Sequence, residues 1–413
     1  MTFNLIRNTT LVRFFLIGFV FFLPISTSLM NVFLYLSLIL IVFNKDFIKN
    51  IEISWKNNAS KYTALYFLLV IFGSLWSIGS YEDILEGLST YKKFLLTLLL
   101  LPYLIQKKNN EQLINTFFIS MTFILLLVYL IFLGIIQPIN VQLYNEIVLH
   151  ISQNGGFKTH IITNILFSFF GFMSLHRFFN FGNFAYLLIG ILVFYYSIFI
   201  NDGTTGQILS LCLLSLLTIQ RYKYKSVFLL PVILLSIITY GISNSNTSIH
   251  SSIDKIFTGI EDHNSNIAVK SVDVRLAMIV NGILVAKESP WIGTGTGSVN
   301  KAHINNLDKL PTSFKERAKT ENPHSEYLSL AIQLGLMGLL IYLFLIYKLF
   351  ELTKKLPNNF YKHSAQGLLL LILVSSLGTS IITDSGEGHF IMLFIAILFA
   401  PLSNNKPEKG HWV

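Results

Sequence analysis

The chain has 413 residues, 53% of them hydrophobic and 12% charged, whereas soluble domains carry about a quarter charged residues. This composition excludes a water-soluble globule, and the continuously apolar runs exclude the alternating pattern of a transmembrane barrel. The formal net charge of +9 suggests a polyanionic partner, but its distribution excludes nucleic acid, as the loop counts below show.

Taken in chain order, apolar spans fall near 11–27, 29–43, 62–78, 92–106, 113–135, 159–175, 184–200, 203–219, 225–241, 324–347, 366–382 and 388–403. The pattern predicts an all-α polytopic membrane protein of about twelve transmembrane helices, several a little shorter than the ~20 residues a crossing needs. The first span follows Arg7 and Arg13 and is similar in look to a signal peptide; with eleven spans behind it and a weak cleavage site, it reads as a retained helix. One membrane domain is expected over 1–403, including a long periplasmic loop over 242–323, with a cytoplasmic tail over 404–413.

Loops then alternate between two sides. The short loops on the N-terminal side hold 18 Lys and Arg, whereas those on the other side hold only Lys92, Lys93 and Lys158. By the positive-inside rule both termini are cytoplasmic, and the basic charge reports topology. Cys212 is the only cysteine, so neither an internal disulfide nor a cysteine zinc site is available.

The 242–323 loop departs from an otherwise economical chain, and loops of this length are commonly functional or disordered. Within it, "SVDVRLAMIVNGILVAKESP" places Leu276, Ile279, Val280, Ile283 and Leu284 at helical spacing, which predicts an amphipathic helix at the membrane surface. Arg275 stands near its start and Pro290 ends the pattern. On chemistry alone, Arg275 is as well suited to snorkelling beside lipid as to clamping phosphate oxygens with its planar fork. "WIGTGTGSVN" follows, and its glycines predict a tight loop turn; the spacing does not fit a dinucleotide site.

The loop closes on "TENPHSEYLSLAIQLGLMGLLIYLFLI". Asn322 as cap and Pro323 as first helical residue would put His324 in the first turn of a membrane helix. There the helix dipole favours a neutral imidazole, able to accept a proton, and attracts an anion. Glu321 and Glu326 flank it as candidates for orienting the ring or sharing the proton. The plainer alternative is an interfacial capping histidine.

The order "DVRLAMIVNGILVAKESPWIGTGTGS", then a variable stretch, then "ENPHSEYLSLAIQLGLMGLLIYLFLI" resembles the O-antigen ligase family of the bacterial cytoplasmic membrane, related to the O-antigen polymerases. Arg275, Pro290, Gly293, Gly295, His324, Glu326, Tyr327 and Gly335 occupy the family's positions over roughly 270–345. Two positions depart. Ser325 replaces an asparagine, and in "NDGTTGQILSL" Thr204 stands where relatives carry an arginine, in forms such as "GRTGQ".

The resemblance implies transfer of a glycan from undecaprenyl diphosphate on the periplasmic side. The acceptor would be the lipid A core, as for a ligase, or another carrier-linked repeat, as for a polymerase. It implies His324 as proton acceptor with Glu326 and Glu321 assisting, and Arg275 as diphosphate ligand. Tyr327, Ser325 and Thr204 would position substrate. Lys92 and Lys93 would replace the charge missing at Thr204, although an interfacial pair more commonly snorkels. Beyond membrane lipids and these substrates no further partner is implied. No metal or cofactor is expected, since no Asp–x–Asp cluster lies on the outer side. Other readings are a twelve-helix transporter or flippase, for which internal repeats are lacking, and an inactive ligase-like scaffold, for which Thr204 speaks.

Overall fold

A computed structural model describes residues 2–143, 146–243, 271–310, 315, 323–357 and 359–403. The expected tail over 404–413, and the loop over 244–270, lie outside the described residues. Each of the twelve apolar stretches forms helix. We number the helices α1 (Thr2–Phe22), α2 (Thr27–Val42), α3 (Phe47–Lys56), α4 (Asn58–Gly73), α5 (Tyr81–Tyr91), α6 (Leu96–Leu104), α7 (Lys107–Phe132), α8 (His160–Phe181) and α9 (Phe184–Tyr195). They continue as α10 (Thr204–Tyr222), α11 (Ser226–Ser243), α12 (Ser271–Glu288), α13 (Val299–Asn306), α14 (Glu326–Thr353), α15 (Asn359–Gly378) and α16 (Ser385–Phe399). A small hairpin of β1 (Ile139–Leu143) and β2 (Glu146–Ile151), paired antiparallel between α7 and α8, was not expected.

Five helical stretches among the described residues are by themselves long and apolar enough to cross a membrane: Asn58–Trp76, Lys107–Phe132, His160–Phe181, Glu326–Thr353 and Ser385–Ser403. The pair α2 and α3, bent by 105°, would make a sixth. This is a multi-pass membrane protein, with fewer self-sufficient spans than the twelve expected. Part of the difference is physical. Helices α10 and α15 have the length, at 19 and 20 residues, but turn polar side chains such as Gln207, Ser210, Ser364, Ser375 and Ser376 into the protein. Buried hydroxyls of this kind are common where membrane helices pack closely.

The centre of the bundle is α16. Every residue from Gly386 to Phe399 is buried, so this helix is enclosed on all sides, as an all-round apolar helix must be. Phe390 and Phe394 pack against Phe117 of α7 and Phe169 of α8 at ring separations of 4.8–5.9 Å. Each such aromatic pair contributes about 0.5–1.5 kcal/mol beyond the area it buries. At the far end of α16, orphan carbonyls are met by amides: Asn57 donates to Phe399 O at 3.0 Å and Asn110 to Ile397 O at 2.6 Å.

Helix α14 is broken at Gly335 (φ 65°, ψ −168°), and the glycine loop after Pro290 is sewn into the break. Thr294 N donates to Ile332 O at 2.7 Å and Gly295 N to Gln333 O at 2.8 Å. In return, Leu336 N donates to Pro290 O at 2.7 Å and Met337 N to Trp291 O at 3.2 Å. The other edge of the loop binds the end of α4, through Thr296 N to Gly73 O at 3.0 Å and Ile78 N to Thr294 O at 2.9 Å. Irregular backbone survives at membrane depth only when it is satisfied in this way. The loop glycines have to be glycine: Gly293, Gly295 and Gly297 all have positive φ, and a Cβ on Gly295 would lie 2.1 Å from Ser77 Cα.

Candidate functional site

The break in α14 aims its first turns at the turn between α15 and α16. Glu326, the first residue of α14, is completely buried. Its Oε2 accepts from Ile382 N at 3.0 Å and Thr383 N at 3.4 Å, and its Oε1 accepts from the Tyr91 hydroxyl at 3.3 Å. Tyr91 in turn accepts from Gln333 Nε2 at 3.2 Å, while Gln333 Oε1 accepts from Gly297 N at 2.8 Å. The carboxylate is thereby linked to the glycine loop. Burial, then the charge of Glu326, pushes the Tyr91 hydroxyl well above its ordinary pKa, so it stays a proton donor.

Lys93 holds the same turn from its carbonyl side. Its ammonium, almost buried, donates to Ile382 O at 3.1 Å, Thr383 O at 2.8 Å and Asp384 O at 2.9 Å. Glu326 and Lys93 therefore grip one peptide segment through its N–H and C=O groups respectively. All three ammonium donors are committed, so Lys93 acts on a ligand through its charge. Lys92 points the other way: it is exposed, bonds Ser89 Oγ at 3.1 Å and lies 5.8 Å from the Tyr35 ring centroid.

His324 requires a correction. The cap of α14 is Ser325, extended at φ −145° and ψ 121°, with its Oγ facing Leu328 N at 3.5 Å and donating to Ser376 O at 3.1 Å. The helix starts at Glu326, and His324 precedes it in the left-handed region at φ 49°. A histidine there costs backbone energy, and strain of this sort gathers at functional sites. His324 is exposed and lies within electrostatic reach of Asp384. Asn322 and Glu321 lie outside the described residues. Tyr327 turns aside, its hydroxyl donating to Leu373 O at 2.8 Å.

Arg275 is in the second turn of α12; its side chain lies outside the described residues. The apolar stripe read for α12 is divided: Val280 and Leu284 pack against Ala277, Leu307 and Leu310, and the rest of the packed face differs from the stripe. Ala277, Met278, Asn281 and Val285 are buried, while Ile279 and Ile283 point outward. Asn281 bonds His303 Nδ1 at 2.9 Å and Asn306 Nδ2 at 2.8 Å, making a buried polar knot between α12 and α13. Burial pushes His303 down to about 4, and its Nε2 finds no partner among the described residues.

Thr204 opens α10 at this same end, half-buried behind a Gly203 cap without a side-chain cap bond, so neither Asp202 nor Thr204 caps the helix. Its neighbour Thr205 faces α15, where a Cβ on Gly378 would lie 3.1 Å from Thr205 Oγ1. The polar stretch "TDSGEGHF" suggests a solvated turn for Glu387, but its side chain is buried. It is 1% exposed, with Oε2 unpartnered among the described residues. Its charge interacts with those of Asp384, Lys93 and Lys158. A cleft of 240 Å³ opens beside Tyr91, Gln333 and Thr383 and is walled further by Asp83, Glu86 and Asn300.

The arrangement offers a strained exposed histidine, buried carboxylates beside ammonium charges, and a polar cleft. No curated protein matches this chain. Residues 187–343 match the family model described as O-Antigen ligase, a stretch that takes in Thr204, Arg275, the glycine loop, His324 and Glu326. Over that stretch the chain is similar to the O-antigen ligase family.

Proposed function

We propose that this protein transfers a glycan from undecaprenyl diphosphate to a sugar hydroxyl of the lipid A core, on the periplasmic side of the inner membrane. The single observation carrying this reading is the convergence of His324, Glu326 and the Lys93-held turn at the mouth of the broken helix, within or beside the family match. In the reaction the acceptor oxygen forms a bond to the anomeric carbon while the bond from that carbon to the diphosphate oxygen breaks. The hydroxyl proton passes to the His324 ring, a role worth about 10²–10⁴ in rate. Arg275 and the exposed Lys92 ammonium balance the charge growing on the departing undecaprenyl diphosphate. Glu326, already saturated with hydrogen bonds, positions the turn bearing Asp384. Glu387, with an oxygen to spare, and Glu321 are the carboxylates left to assist the proton transfer; Ser325 and Thr204 shape the site. Twelve crossings with both termini cytoplasmic would put this end outside, in keeping with the 18-to-3 loop charge count.

The deciding experiment is transfer in vesicles carrying His324→Ala, scored on both lipopolysaccharide and carrier-linked glycan, with membrane accumulation measured alongside. Loss of transfer at normal accumulation is the expected result. Full activity would remove His324 from the chemistry. Lengthened carrier-linked glycan made by the unmodified protein, without transfer to lipid A core, would assign polymerase activity instead.

A further inference from the structure

A second polar cavity lies at the opposite end of the bundle. Helix α15 runs away from the Thr379 carbonyl that accepts from Glu326 N, and its 20 residues span roughly 30 Å. At its start, Asn359, Phe360 and Tyr361 line a cavity of 520 Å³ together with Lys107, Glu111, Asn115, Arg177, Asn180 and Tyr186.

Arg177 is the unusual member, only 9% exposed. Its Nη2 donates to Asn115 Oδ1 at 2.8 Å and its Nη1 to the Tyr186 hydroxyl at 3.2 Å, both neutral oxygens. Its Cζ lies 4.0 Å from the Phe118 ring centroid and 5.6 Å from that of Phe360, so aromatic rings fix the guanidinium. Among the described residues no carboxylate lies within ion-pair distance of it; Glu111, the nearby acid, pairs with Lys107 at 3.7 Å. A buried guanidinium without a counter-ion is costly, and the wall it faces adds favourable potential for an anion. Helices α7, α9 and α15 all begin at this cavity, bringing three positive helix ends to it.

We infer that this cavity is a binding site for a phosphate group, taken either from the headgroup of an anionic membrane lipid or from a soluble phosphate compound. A planar fork held by rings recognises phosphate oxygens, and basic pockets between membrane helices receive lipid headgroups. Under the orientation proposed above this end faces the cytoplasm, so the site is separate from glycan transfer and independent of it.

The test measures thermal unfolding of the purified full chain in neutral detergent, titrated with phosphatidylglycerol, phosphatidylcholine or inorganic phosphate. A saturable rise with phosphatidylglycerol and none with phosphatidylcholine is expected. An equal rise with inorganic phosphate assigns the site to a soluble phosphate. Arg177→Gln should weaken the midpoint roughly tenfold or more, as loss of one charge-assisted bond implies. Should that variant not fold, Asn359→Asp serves: an acid at the helix start supports the helix yet repels phosphate. A rise that Asn359→Asp leaves unchanged overturns the inference, as does equal stabilisation by phosphatidylcholine or the absence of any rise.

Discussion

Glu326 and Arg177 are both buried charges, and they are met in opposite ways. Around Glu326 the partners are largely backbone groups, presented by a turn that Lys93 holds from behind, with the Tyr91 hydroxyl as the third. Around Arg177 they are side chains on regular helices, and one wall is open. Backbone partners fix a charge in place only as long as the loops keep their conformation. Side-chain partners leave it room for a ligand. The first end is rigid by construction, and the second is a receptacle.

The largest effect should come from the seam. Gly295→Ala puts a methyl group into Ser77 at a positive-φ residue, and a loss of roughly 3 kcal/mol or more is expected, seen as failure to accumulate in membranes. Normal accumulation and melting would show that the loop does not hold the break. Next comes Lys93→Met, which strands three carbonyls and leaves buried carboxylates uncompensated, at a cost of about 3 kcal/mol. Arg177→Met should cost less, about 1–2 kcal/mol, because it orphans no opposite charge. If thermal unfolding ranks the two the other way, the contrast between the ends fails.

A pH scan offers an intermediate effect. His303 is held near 4 in the fold against an ordinary value of about 6.5, so it contributes stability that is complete above pH 6.5 and lost as pH falls towards 4. The loss is roughly 3 kcal/mol at most, and His303→Asn should flatten that part of the profile. The smallest structural effect belongs to Lys92→Ala, an exposed residue whose loss should leave melting within about 0.5 kcal/mol. Transfer should nevertheless slow if its ammonium meets the diphosphate, and Thr204→Arg should restore part of the rate. Unchanged turnover in Lys92→Ala removes this lysine from the site. Replacing Lys93 at the same time would confuse the result, since Lys93 supports the turn itself.

The membrane class and the helical stretches were legible because hydropathy acts along the chain. The chemistry-bearing residues at the start of α14 were legible as a cluster, but their geometry was not. Asn322 and Ser325 are both good capping residues, and only the fold selects Ser325 and turns His324 left-handed. Glu387 looked solvated because a short polar turn normally is. It is buried with its neighbours, Gly386 lying against Ile162 of α8 and Gly388 against Lys93, both far away in sequence. The glycine loop announced turns, yet its bonds run to Gly73 and Gln333, and no local pattern encodes such partners.

The break at Gly335 also bears on the order in which the protein can assemble. Every partner of the seam up to Gly335 — Gly73, Ile78, Pro290 to Thr296 — is synthesised before the second half of α14 exists. The seam can therefore close as that helix enters the membrane. The cradle of Glu326 cannot, since Ile382 and Thr383 arrive only after α15. A nascent chain passes through a stage with its scaffold locked and its carboxylate still uncradled, and the site becomes complete only when the last helix takes its place at the centre.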